Sequence, residues 1–176
     1  PLFRTFNPDT SNRRVFPRLQ TLVQNQSSTW EVLPSVGRKI NFRVTARDNH
    51  PAGGHTAQDD MVVTVSNNAG PFRVSGNTFS AGWPAGSWQI VTWDVANTDK
   101  APVNCRIVNI RLSVDGGFTY PVVLASNIPN NGKYCIQVPD ITTNKARLLV
   151  ESADNIFFDI NNANFNIAPA SAPAFS

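Results

Sequence analysis

The stretch Val108-Asn109-Ile110-Arg111-Leu112-Ser113-Val114-Asp115-Gly116-Gly117-Phe118-Thr119-Tyr120 decides the fold. Apolar side chains at 108, 110, 112 and 114 alternate with polar ones at 109, 111 and 113, the period of a half-buried strand. Asp115-Gly116-Gly117 then breaks the pattern with residues that tolerate positive φ, as a tight reversal requires. Asp115 and Ser113 can accept hydrogen bonds from turn N–H groups, Thr119 suits the returning strand, and Tyr120 can cover the hairpin's end. The same rhythm recurs in Ile40-Phe42-Val44-Ala46, Met61-Val63-Val65, Val91-Trp93-Val95, Tyr134-Ile136-Val138, Ala146-Leu148-Val150 and Phe165-Ile167. Short alternating runs bounded by Gly, Pro, Asn or Asp predict an all-β chain of sandwich modules. A helical turn is expected only within Phe16 to Val23.

Composition agrees. The chain has 176 residues, with 23 Gly and Pro together and 20 Asn, all turn formers that suit helices poorly. Charged residues are only 15%, which excludes a coiled coil and a charge-driven disordered segment. The net charge of +3 comes from eleven Arg and four Lys, with no basic run longer than Arg13-Arg14. Nucleic-acid binders carry a stripe of positive charge, so no nucleic-acid partner is expected. No apolar window is long enough for a membrane span.

A boundary is expected near Ser66-Asn67-Asn68-Ala69-Gly70-Pro71-Phe72, where one strand series ends and another opens. Residues 69–168 hold seven or eight candidate strands, enough for one immunoglobulin-like sandwich. Residues 1–68 hold only three or four, so the first module is expected to be a partial sandwich, incomplete at its N-terminus. The opening PLFRTFNPDT lacks an initiator Met and reads as a cut from a longer precursor. Residues 169–176 read as a Pro/Ala/Ser linker.

Few residues point to chemistry. His50 and His55 flank Pro51-Ala52-Gly53-Gly54, which forbids a helix presenting both on one face, and no further Cys or His completes a zinc site nearby. With no Gly-x-Ser-x-Gly elbow either, no catalytic residue is assigned. Asp48, Asp59 and Asp60 are calcium candidates; the alternative is that Asp48 and Asp59 cap the turn while Asp60 pairs with Arg43 or Arg47. A second polar group, Asp154, Asn155, Asp159, Asn161 and Asn162, is expected to cap a turn. Trp83, Trp88 and Trp93 with Phe79 and Tyr120 are candidates for an aromatic sugar platform. Of these, Trp93 is expected in the core and Trp83, between Gly82 and Pro84, is expected to be exposed to glycan. Cys105 and Cys135 are a possible disulfide. Strand parity places Cys105 with Asn109 and Arg111, away from the core, so a bridge needs both strands in one sheet.

Ser113, Asp115, Gly117, Thr119 and Tyr120 are similar to the Asp-box pattern Ser-x-Asp-x-Gly-x-Thr-Trp, with Tyr120 where that pattern has Trp. In sialidases, where this motif repeats, it folds a hairpin away from the active site. The resemblance implies a structural hairpin, and its single occurrence here gives no support to a glycosidase.

A broader resemblance runs from about residue 2 to 167. It is carried by Phe6-Asn7-Pro8, Trp30-Glu31-Val32-Leu33-Pro34-Ser35, Phe42-Arg43-Val44-Thr45-Ala46-Arg47-Asp48-Asn49 and Asp60-Met61-Val62-Val63-Thr64-Val65. It continues through Ala69-Gly70-Pro71-Phe72, Val91-Thr92-Trp93-Asp94-Val95, Leu112 to Gly117 and Asn155-Ile156-Phe157-Phe158-Asp159-Ile160. In this order the segments resemble the region following the catalytic domain in secreted, reprolysin-like zinc metallopeptidases of bacteria. That implies immunoglobulin-like or fibronectin-III-like modules in tandem, secreted or at the cell surface, with the upstream peptidase domain of the same chain as partner. The peptidase signature His-Glu-x-x-His-x-x-Gly-x-x-His is absent, so zinc would belong to that upstream domain and no cofactor is assigned here. The expected function is a non-catalytic spacer or docking region; the alternative is a carbohydrate- or cell-surface-binding adhesin module, with an extracellular protein or glycan as partner.

Overall fold

The computed structural model describes residues 3, 7, 10–75 and 81–170. Among the described residues strands account for 43% and helix for 3%, so period-two alternation governs the fold. The chain divides into two compact units, Pro34–Asn68 and a larger one that joins the residues through Leu33 to those from Ala69. The break at Asn68–Ala69 lies in the turn-rich stretch that the sequence marks.

The smaller unit is a single hairpin of β1 (Arg38–Arg47) and β2 (Thr56–Val65). Its register runs unbroken from Arg38 opposite Val65 to Arg47 opposite Thr56. Ile40, Phe42, Val44 and Ala46 share one face with Ala57, Asp59, Met61, Val63 and Val65, as the pairing requires. At the tip, Asp48 Oδ1 accepts from the amides of His50 (3.1 Å) and His55 (2.9 Å), and Asn49 takes a left-handed φ of 50°.

The expected partial sandwich over 1–68 is corrected here. Residues 34–68 supply two strands, and the segment before them belongs to the larger unit. That segment has no alternation to form strands. It is instead held by buried Val23, on the short helix α1 (Leu19–Val23), and by Asn25, whose side-chain amide donates to the Asn162 carbonyl at 2.7 Å.

The larger unit contains β3 (Arg73–Val74), β4 (Trp83–Pro84), β5 (Trp88–Asp94), β6 (Ile107–Ser113), β7 (Val122–Pro129), β8 (Lys133–Gln137), β9 (Thr143–Ser152), β10 (Phe158–Ile160) and β11 (Phe165–Ala168). One sheet has the order β4-β11-β9-β6-β7, with β10 also paired to β9; the other has the order β3-β5-β8. Val91, Trp93 and Ile136 of the smaller sheet join Val108, Ile110, Leu112, Ala146, Leu148, Val150 and Ile167 of the larger in one buried cluster. Two sheets closing on a shared core make a β-sandwich. Each fully buried aliphatic side chain contributes about 2 kcal/mol of transfer free energy. The connection from β6 to β7 carries the candidate site.

Candidate functional site at the β6–β7 hairpin

β6 ends at Ser113, whose side chain is fully buried. Its Oγ donates to Asp115 Oδ1 at 2.6 Å and accepts from the Gly117 amide at 2.8 Å. Asp115 Oδ1 also accepts from the amides of Phe118 and Thr119, each at 3.0 Å, while Oδ2 accepts from Thr119 Oγ1 at 2.6 Å. Gly116 and Gly117 take φ of 91° and 101°, a conformation that side chains rarely adopt. Burial alone would raise the Asp115 pKa, but the hydrogen bonds from Ser113, Thr119 and Phe118 outweigh it. Together they hold the carboxyl well below the usual carboxylate range. Both carboxylate oxygens are committed to the turn, so the group acts as a lock.

Behind the turn lies a cluster that the motif does not include. Arg147, on β9, is only 6% exposed. Its Nε donates to Asn164 Oδ1 (2.8 Å), one terminal nitrogen to the Asn161 carbonyl (3.1 Å) and the other to the Val23 carbonyl (2.9 Å). A Cβ at Gly117 would be strained at φ of 101° and crowded as well, 3.0 Å from Val23 Cγ2 and 3.1 Å from the Tyr120 hydroxyl. The Tyr120 hydroxyl is buried without a hydrogen-bond partner among the described residues. Burial pushes its pKa up against the opposing pull of the Arg147 charge, and Asp115 and Asp159 push it further. Arg147 gave no sequence signal beyond being the one arginine of its strand.

The aromatic expectations divide. Trp93 lies in the core and donates from Nε1 to Asn130 Oδ1 at 2.8 Å. Trp83 does not offer itself to glycan: it is 2% exposed and packs 4.7 Å from the Phe165 ring. The cause is local. Gly82 takes φ of 70°, passes close to the Asn166 carbonyl and lets Trp83 pair with Ile167 in a short parallel strand that turns the indole inward. Trp88, at the start of β5, is the exposed indole, at 67%. Phe79 lies outside the described residues.

Both cysteines are free. The parity argument for Cys105 fails because β6 begins at Ile107, so alternation does not extend back to it. Cys105 turns into the core instead, with its Sγ donating to the Ile107 carbonyl at 3.3 Å. Cys135 is exposed on β8, in the opposite sheet.

Asp48 binds the turn amides of its own hairpin, and Asp60 forms a bidentate pair with Arg43 at 2.6 and 2.7 Å. Asp59 stands on the other face of β2, opposite Val44. The three calcium candidates are thus spread over the hairpin. Among the described residues no three His, Cys, Asp or Glu side chains converge as a metal site. The second polar group is likewise dispersed. Asp159 Oδ2 accepts from the Val74 amide at 2.7 Å and Asn161 Oδ1 from the Leu148 amide at 2.7 Å, while Asn155 Oδ1 accepts from the Ile156 amide at 2.8 Å. Burial raises the Asp159 pKa against the pull of the Val74 and Ile160 amides and of Arg73. A shallow, open groove of about 350 Å³ is lined by Asp99, Arg106, Pro129, Asn130 and Asn131. Its Asn130 amide is already bonded to Trp93, Thr98 and Cys105.

The sequence matches no protein-family profile and no curated protein. Among the described residues no helix is long and apolar enough to cross a membrane.

Proposed function

We propose that this chain is a non-catalytic accessory region of a secreted zinc metallopeptidase, a spacer or docking body built from immunoglobulin-like or fibronectin-III-like sandwich structure. The observation that carries the reading is the commitment of its best chemical groups to other atoms of the same chain. Asp115 holds turn amides, Arg147 holds carbonyls, and Asn130 holds an indole and a carbonyl. A group bound in this way positions chain rather than substrate. The ordered resemblance over residues 2–167 supplies the parent class. The test is the coding sequence upstream, where the zinc-peptidase signature His-Glu-x-x-His-x-x-Gly-x-x-His is expected, together with a peptidase assay of this chain alone. Chelator-sensitive cleavage by the 176 residues would overturn the reading.

A second reading, a carbohydrate- or surface-binding module, draws on Trp88. Its exposed indole lies beside exposed Ile90 on the outer face of β5, directly across from Gln137 of β8. An exposed indole is the surface on which a pyranose ring stacks. Glycan-array binding lost in Trp88→Ala, with the fold retained, would favour it; an empty array would remove it.

A further inference from the structure

The smaller unit is a two-stranded sheet with ten uninterrupted rungs. A lone pair of strands is at best marginally stable in water, and three or more strands sharing an apolar face are needed for independent stability. Its two edges differ. β1 is guarded along its length by Arg38, Lys39, Arg43 and Arg47, and it holds no acid that could pair with them in a second copy. β2 carries Asp59 and Asp60 in its first half, but Met61-Val62-Val63-Thr64-Val65 has no charge, Pro, Gly or bulge. Val62 in this run is 58% exposed. Edges that stay free are short, bulged, or guarded by Lys or Pro, and this one is none of these.

We propose that the chain pairs with a second copy of itself along the Met61–Val65 edge of β2, antiparallel, with the two-fold axis at Val63. In this register Val63 faces the partner's Val63, Met61 faces the partner's Val65, and Val62 faces the partner's Thr64. Asp60 then meets the partner's Ser66 and Asp59 the partner's Asn67, so no acid faces an acid. The product is a four-stranded sheet, β1-β2-β2-β1, with Ile40, Phe42, Met61, Val63 and Val65 continuing one apolar face across the axis. The contact is isologous and closes on itself. Stacking two apolar faces instead would bury Asp59, which shares that face, as an unpaired carboxylate. Edge pairing leaves it in water.

Light scattering on the full chain is expected to show a dimer; a monomer at every attainable concentration overturns the proposal. Two double variants test the register. Met61→Glu with Val65→Glu sets like charges opposite at both Met61–Val65 contacts, whereas Met61→Glu with Val65→Lys sets opposite charges there. Within the hairpin, position 65 faces Arg38, so the doubly acidic variant has the more stable hairpin and the mixed one the less stable. The dimer dissociation constant is nevertheless expected to be about tenfold higher for the doubly acidic variant. The reverse order, or no difference, overturns the register. Val63→Cys in a Cys135→Ser background is expected to give an oxidised, covalently linked dimer. Paired edges place directly opposed Cα atoms about 5 Å apart. Stacked sheets lie about 10 Å apart, beyond the reach of about 7 Å for a disulfide. A dimer that does not cross-link at position 63 also overturns the proposal.

Discussion

The guanidinium of Arg147 donates to the backbone carbonyl of Val23, 124 residues earlier in the chain, at 2.9 Å. This bond ties the end of α1 to β9 of the sandwich. With buried Val23 and the Asn25–Asn162 bond, it holds the opening segment to the larger unit although the hairpin intervenes in sequence.

Arg147→Ala removes three donors and leaves two buried carbonyls, those of Val23 and Asn161, without this partner. The expected loss is about 3 kcal/mol in urea unfolding. Arg147→Lys is expected to recover only part of it, because an ammonium cannot reproduce the planar fork. Limited proteolysis is expected to cut Arg147→Ala faster within residues 10–33 than the parent chain. Unchanged cleavage there would show that the segment is held by other contacts.

Asp115 gives the hairpin a defined pH response. Its folded-state pKa lies below the value of about 3.9 for an unperturbed Asp. A carboxyl depressed on folding contributes stability that is fully present above the unfolded pKa and is lost as pH falls through the folded one. Asp115→Asn keeps the shape but loses the charge on four hydrogen bonds, with an expected cost of about 2 kcal/mol at neutral pH. The gap between variant and parent is expected to narrow steadily below about pH 4. A gap that is constant from pH 7 to pH 2.5 would sink the assignment. Comparing the two proteins cancels the opposite response of Asp159, whose raised pKa makes its burial less favourable as pH rises.

Local pattern made the strands legible. The alternations at Ile40–Ala46, Met61–Val65, Val91–Trp93, Val108–Leu112 and Ala146–Val150 each lie in a strand, with the apolar members of the last three in the sandwich core. The Asp115 turn was equally readable, since each of its hydrogen bonds spans four residues or fewer. What sequence could not supply were contacts distant along the chain and the exact residue where alternation starts. Cys105 escapes the parity of β6 because it lies two positions before the strand's first residue, Ile107. Gly82 and Pro84 give Trp83 the local look of a loop residue, and the pairing with Ile167 that turns the ring inward is distant in sequence. Arg147 occupies an outward strand position that ordinarily meets water; the Val23 carbonyl that covers it is invisible to any local window.

The two thiols give the sharpest chemical contrast in the molecule. Cys135 is exposed on β8, whereas Cys105 is in the core, where burial first, and then the neighbouring Asp154 carboxylate, push its thiol up to about 11. The thiolate is the reactive form, so alkylation depends on both access and pKa. With iodoacetamide at pH 8, mass spectrometry is expected to find one adduct rapidly, on the peptide containing Cys135. Cys105 is expected to label only at the rate of unfolding, and urea is expected to bring its labelling up to that of Cys135. Because Cys105 protection depends on the closed core, Ile110→Ala, which opens a cavity costing about 3 kcal/mol, is expected to speed Cys105 labelling and leave Cys135 unchanged. Equal labelling of both thiols in the native chain would mean that Cys105 does not sit in the sandwich core, and a mass two daltons low before reduction would mean that the thiols are bridged.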